Sequence, residues 1–254
     1  GNINAAKKLV DEAKRCGCDI AKIQTYSGEE RISNFAKEAK YADKTLGMEE
    51  SSSEMFSRFE LSLAKQKELM DHAIGVGIPL ISTPFNELSV DQLLDIDVKA
   101  FKIASFDIVN LPFIHYVASK NLPIILSTGM STMEEVEQAF EVLQNNELYI
   151  LQCTSSYPST FEDIHLKVMD TYHEKFKRPI GFSGHHQDNI LPDLLAVSLE
   201  ACIVERHFTL DRNMEGPDHA ASLTQNQFSH LVKGIREIEQ ALGQGKERLI
   251  SQGE

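Results

Sequence analysis

Residues 123–154, PIILSTGMSTMEEVEQAFEVLQNNELYILQCT, carry the reading that decides the fold. The run 123–128 is aliphatic and rich in β-branched residues, and it ends in the hydroxyls of Ser127 and Thr128. Ser131-Thr132 ahead of Glu134-Glu135 is a helix-start signal, and residues 133–145 follow with helical spacing. A second apolar run, 148–154, closes the unit. Strands this apolar, with little alternation, belong to a parallel sheet covered on both faces.

The same rhythm extends in both directions. Apolar runs at 19–24 (DIAKIQ), 78–83 (IPLIST), 100–105 (AFKIAS), 179–183 (PIGFS) and 202–207 (CIVERH) bring the expected strands to seven. Helices are expected at 4–16, 60–75, 88–94, 111–120, 133–145, 164–174, 191–199 and 225–242. In the first, Ala6, Leu9, Val10, Ala13 and Cys16 share one face. Seven strands alternating with eight helices, helix first, predict the α/β class and a TIM (β/α)8 barrel. Its first strand is then expected to precede Gly1, with a single barrel domain over residues 1–254. An open doubly wound sheet would need a Gly-rich nucleotide loop, and no G-x-G-x-x-G occurs. Residues 27–60 break the rhythm with Glu, Lys and Ser, and are read as an excursion, a lid over the barrel mouth or a surface insertion.

Composition narrows the function. The chain has 42% hydrophobic and 25% charged residues, an ordinary globular balance. It carries 25 Lys+Arg against 38 Asp+Glu, a net charge of -13, which repels nucleic acid and anionic membrane surfaces. No apolar run approaches the roughly 18 residues of a membrane span, and no basic-then-apolar leader opens the chain, so a soluble cytoplasmic protein is expected. Cys16, Cys18, Cys153 and Cys202 show no pairing pattern and are read as reduced thiols.

In a barrel the chemistry gathers at the C-terminal ends of the strands. Those ends carry Lys22 and Gln24; Ser82 and Thr83; Lys102 and Ser105; Ser127 and Thr128; Cys153, Thr154, Ser155 and Tyr157; Ser183, His185 and His186; Glu205 and His207. A lysine inside an apolar strand is costly unless its charge is paired, by a barrel carboxylate or by a bound anion. Two of them, Lys22 and Lys102, point to an anion. His185 and His207 close neighbouring strands, where two imidazoles can share a divalent transition metal. The absence of H-E-x-x-H, paired C-x-x-C and G-x-S-x-G argues against the commoner zinc proteases and serine hydrolases.

The stretches AKIQT (21–25), STPF (82–85), FKIAS-x-D (101–107), NLP (110–112), LSTGM (126–130), QCTSSYP (152–158), GFSGH (181–185), ERHFTLD (205–211) and GPDHAASL (216–223) resemble the sialic acid synthases. The resemblance covers nearly the whole chain, in order, and implies the same barrel. It implies a transferase of sialic acid biosynthesis that condenses phosphoenolpyruvate with an N-acylated hexosamine, N-acetylmannosamine or a derivative, to a nine-carbon 2-keto acid. It makes His185 and His207 ligands of a divalent metal, manganese first, with Mg or Co as alternatives. The G-x-S-x-H register selects His185, with His186 in reserve. Lys22, Thr83, Lys102, Ser105, Ser127, Ser155 and Ser183 become substrate-binding residues, and Gln24, Tyr157, Glu205 and Asp218 catalytic or sugar contacts. Ser155 stands where some bacterial members have Asn, which leaves the acyl sugar and its phosphorylation open. The resemblance further implies a homodimer, a first strand before Gly1, and a C-terminal antifreeze-like domain that these residues do not include. The competing expectations are another phosphoenolpyruvate-aldose synthase and a catalytically poor barrel that holds an anion or a metal.

Overall fold

The computed structural model describes the backbone of residues 1–28, 40–43 and 48–243, and the side chains of residues 1–28 and 54–243. Nine strands appear among them: β1 Ala21–Thr25, β2 Lys40–Asp43, β3 Met48–Ser51, β4 Leu80–Pro84, β5 Phe101–Ile103, β6 Ile124–Ser127, β7 Leu148–Cys153, β8 Ile180–Gly184 and β9 Val204–Arg206. The helices are α1 Ile3–Arg15, α2 Ser52–Phe59, α3 Leu63–Val76, α4 Glu87–Asp95, α5 Leu111–Ala118, α6 Met133–Leu143, α7 Val168–Phe176, α8 Leu191–Ser198 and α9 Gln225–Leu242.

Seven strands form one sheet in the order β1-β4-β5-β6-β7-β8-β9, with every pair parallel. Each connection is a crossover through a helix. The starts of those helices are chemically fixed: in α6 the Thr132 hydroxyl accepts from the Glu135 amide while the Glu135 carboxylate accepts from the Thr132 amide. Thr224 and Gln227 repeat this capping box in α9. Asn2 caps α1 by accepting from the amides of Asn4 and Ala5.

The strand pleat sorts side chains to two faces. Leu80, Phe101, Ile103, Ile124, Leu126, Ile150, Ile180 and Phe182 join the main core, together with helix residues such as Leu69, Leu93, Ile114, Val136 and Ala196. Ile81, Ile125 and Leu151 form a second, smaller cluster on the opposite face, with Ala100, Tyr149 and Ile203 packed on it. The sheet curls around that second cluster. Its curl is strong enough that Lys22 on one edge strand and Glu205 on the other come within 3.8 Å.

The structure therefore holds the seven expected strands in a curled parallel α/β sheet, with adjusted ends. The expected strand 100–105 stops at Ile103 because Ser105–Asp107 turn as a 3-10 helix. The expected helix 60–75 is α3, starting at Leu63, while α2 lies inside the stretch read as an excursion; the helix expected at 164–174 starts only at Val168, after His165 with φ 47°. The excursion contains an antiparallel pair, β2 with β3, in register Tyr41↔Glu50. Residues 29–39 and 44–47 of it lie outside the described residues. No helix among the described residues is long and apolar enough to cross a membrane.

Candidate active site

The parity that buries Ile81, Ile125 and Leu151 on the concave face also fixes what stands two residues further along each strand. Thr83, Ser127 and Cys153 follow those three directly. The paired registers place Lys102 beside Ile125, Ser183 beside Cys153 and Glu205 beside Ser183. One layer of apolar residues thus forms a floor, and a polar layer stands above it at the C-terminal strand ends.

Glu205 is the centre of that layer. Its Oε1 lies 3.8 Å from Lys22 Nζ and 3.9 Å from Lys102 Nζ, and Ser183 Oγ donates to it at 3.4 Å. The Lys102 side chain is only 4% exposed and also donates to the Ile103 carbonyl at 3.0 Å. Burial lowers the Lys102 pKa, and the Glu205 charge opposes that fall. Burial also pushes the Glu205 carboxyl up, but Lys102 and Lys22 outweigh it and bring the group down to about 2. Two cations sharing one carboxylate leave net positive charge in a water-poor concavity. That is the electrostatics of an anion site.

Hydroxyls surround the lysines on the β5 to β7 side. Ser105 Oγ accepts from the Gly129 amide at 2.9 Å and approaches Cys153 Sγ at 3.6 Å. A Cβ at Gly129 would fall 2.3 Å from Ser155 Oγ, 3.0 Å from Ser105 Oγ and 3.2 Å from Cys153 Sγ. Only glycine lets that backbone come so close. Ser127 Oγ is buried with no hydrogen-bond partner among the described residues, so it is free to bond a ligand. Thr83 is buried on the same face, in register with Gln24.

The imidazoles stand on the β8 and β9 side. His185 and His207 rings are 5.4 Å apart between centroids, and Tyr157 packs on both, at 4.1 Å and 5.7 Å. His185 Nδ1 lies 2.7 Å from the Thr154 carbonyl, which makes Nδ1 the protonated nitrogen and leaves the Nε2 lone pair outward, 3.0 Å from the Tyr157 hydroxyl. Burial lowers the pKa of His185, and takes that of His207 down to about 4 against the opposing charge of Asp218. Asp218 Oδ2 is 3.7 Å from His207 Nδ1. Burial likewise raises the Tyr157 phenol, which stays protonated. Two neutral imidazoles, one oriented by a backbone carbonyl, are a donor set that fits a divalent metal. Among the described residues no third His, Cys, Asp or Glu completes a cluster with them.

Lys22, Lys102, Ser183, Glu205, His185, His207, Tyr157 and Asp218 thus form one connected group, adjoined by Ser105, Ser127, Ser155 and Thr83. Gln24 is exposed on the edge strand β1, two residues beyond Lys22 and in register with Thr83. The reserve ligand His186 turns the other way, fully buried against Asp193 and Arg206. Sequence reading missed the Gly129 amide and the Thr154 carbonyl, because backbone atoms leave no residue-type signal. It also gave Cys153 and Arg206 no role, although strand parity, inward for Cys153 and outward for Arg206, was available to place both.

Fold and site together define an α/β protein with a cationic, hydroxyl-lined anion site and a paired-imidazole centre at the C-terminal mouth of a curled parallel sheet. The chain belongs to the NeuB family, which it matches over residues 9–247. It is 42% identical over 250 residues to the N,N'-diacetyllegionaminic acid synthase of Campylobacter jejuni, covering 96% of this chain and 75% of the relative. It is 35% identical over 253 residues to the N-acetylneuraminate-9-phosphate synthase of Homo sapiens, covering 98% of this chain and 70% of the relative. The crystal structure of the N-acetylneuraminic acid synthetase from Leptospira borgpetersenii, in complex with citrate, superposes with a TM-score of 0.88 at 30% identity, over 99% of this chain and 84% of that one.

Proposed function

We propose that this protein condenses phosphoenolpyruvate with an N-acylated hexosamine, N-acetylmannosamine or a derivative, releasing phosphate and a nine-carbon 2-keto acid. The observation that carries the reading is the convergence of Lys22 and Lys102 on Glu205 beneath a ring of hydroxyls. Lys22, Lys102 and Thr83 bind the carboxylate and phosphate of phosphoenolpyruvate, and Ser105, Ser127, Ser155, Ser183 and the Gly129 amide lie around the phosphate. Its C3 then forms a bond to the aldehyde carbon of the open-chain sugar, water adds at C2, and phosphate leaves with cleavage of its bond to C2. The two lysines offset the negative charge through that sequence.

Glu205, Tyr157, Asp218 and Gln24 contact the sugar or the reacting centre. Glu205, ionised between two lysines, is an acceptor for a hydroxyl proton, and Tyr157 with its raised pKa is a donor. His185 and His207 would hold a divalent metal, manganese first, with Mg or Co as alternatives. When bound, it supplies a Lewis acid for the sugar carbonyl. The same reading takes the curled sheet as a (β/α)8 barrel, with an eighth strand between β1 and β9, in a single catalytic domain of a cytoplasmic homodimer. It rests on family membership and on the approach of the two edge strands.

The test is phosphate release from phosphoenolpyruvate with Mn2+, screened over N-acetylmannosamine, its 6-phosphate and diacetamido hexoses. Release with at least one N-acyl sugar, lost in His207→Ala together with Mn2+ binding, is the expected result. No release with any of them from protein that binds phosphoenolpyruvate would overturn the reading.

A further inference from the structure

Arg206 stands between Glu205 and His207, and the pleat turns it to the other face of β9. There it is sealed from solvent, 8% exposed, against Asp193 of α8 and His186 of the segment after β8, both fully buried. Arg206 Nη1 donates to Asp193 Oδ2 at 2.6 Å and lies 2.8 Å from His186 Nε2, while Nη2 donates to the His186 carbonyl. Phe182 stacks on the His186 ring and Phe161 meets it edge-on. A Cβ at Gly184 would fall 2.9 Å from His186 Cε1 and 3.1 Å from Arg206 Cδ. The strand end and the cluster are packed without slack.

Stability alone is a weak reason for such a group. Among the described residues, Arg206 Nε, Asp193 Oδ1 and His186 Nδ1 are buried without a hydrogen-bond partner. A partly satisfied buried ion pair gains little over apolar residues of the same volume, and its known use is to fix one arrangement. The arrangement fixed here is specific: one fork of hydrogen bonds ties the end of β9, which carries Glu205 and His207, to the segment carrying His185, and anchors both on α8.

The geometry points to Arg206, with Asp193 and His186, as positioning residues that set His185 against His207 from behind the sheet; this rests on the metal assignment made under Proposed function. Arg206→Met combined with Asp193→Leu removes both charges together, and Arg206→Lys keeps a cation on Asp193 while losing the reach to the His186 carbonyl. Three readings are taken on the full chain: Mn2+ affinity by titration, the ring 1H–15N resonances of His185 and His207 at one pH without metal, and thermal stabilisation by phosphoenolpyruvate as a control on the lysine side.

In the folded double variant, Mn2+ affinity is expected to fall tenfold or more and both ring resonances to move, with phosphoenolpyruvate stabilisation retained. Arg206→Lys should lie between it and the parent, and decides the matter if the double variant does not fold. A folded variant with parental Mn2+ affinity and unmoved resonances would overturn the proposal. If the parent itself binds no Mn2+, the metal assignment falls, and the ring resonances still decide whether the cluster positions the two histidines.

Discussion

Lys102 shows what one residue can cost and supply at once. Its burial disfavours the ammonium, which Glu205 supports and Lys22 opposes. Such a group is held for a ligand more than for the fold. Lys102→Met should therefore weaken phosphoenolpyruvate binding by about 10- to 100-fold, the roughly 1.5–3 kcal/mol of a hydrogen bond to a charged group. Its melting temperature should stay close to the parent's, because Glu205 keeps Lys22 as a partner and is 21% exposed to solvent. Calorimetric titration and a thermal melt check both halves, and a folded variant with parental affinity would remove Lys102 from the site. Cys18 presents the opposite case, a titratable group with no ligand. Burial first, then Cys16 and Asp19, raise its thiol from 9.0 to about 12. The reactive thiolate at pH 8 is then scarcer by about a thousandfold, since each pKa unit is a factor of ten. Iodoacetamide at pH 8 should label Cys18 only after denaturation, with folded-state labelling rising above pH 11; mass spectrometry that finds equal labelling in folded and unfolded protein would contradict this.

Among the elements, the turn from β6 into α6 joins fold and site most tightly. Thr132 and Glu135 close the helix start, and two residues before Ser131 the Gly129 amide donates to Ser105. Gly129→Ala would press a methyl into Ser105, Ser155 and Cys153, whose side chains are short and can rotate aside. The expected outcome is a melting temperature within a few degrees of the parent and phosphoenolpyruvate affinity reduced at least tenfold; loss of stability without loss of affinity would assign Gly129 to the fold alone. This element also shows what the sequence made legible. Its capping residues, its apolar strand and the hydroxyls at the strand end were all readable, because local hydrogen bonding and burial dictate residue type directly. Ser105 was read as the end of a strand and stands instead in the 3-10 turn after it, since such a turn differs from a strand end only in dihedral angles. Helix α2 was hidden because its residues 52–59 sit in a stretch whose Ser, Glu and Arg content reads as an excursion rather than as a helix. His186, the ligand held in reserve, is adjacent in sequence to a site residue yet lies on the other face, because a histidine's type does not say which face it takes.

At the scale of the whole molecule, the net charge of -13 and an anionic substrate are reconciled by placement. Lys22 comes from the first strand of the sheet, Lys102 from the third and Glu205 from the last, so the cationic point exists only when the sheet is curled. A ligand that bonds both lysines therefore binds the folded sheet and not the open chain. By linkage, phosphoenolpyruvate at 100 times its dissociation constant stabilises the native state by about 2.7 kcal/mol. For a protein of this size each kcal/mol raises the melting temperature by about 2–4 °C, so the expected rise is about 5–11 °C. The double variant Lys22→Met with Lys102→Met should lose that rise while keeping a cooperative melt, since no ion pair then links β1 to β9 but the apolar floor of Ile81, Ile125 and Leu151 is untouched. Differential scanning calorimetry over a phosphoenolpyruvate series reads both effects. A rise that survives in the double variant would show that the ligand is held elsewhere, and a melt that loses cooperativity without ligand would show that the lysine–glutamate contacts hold the curl rather than depend on it.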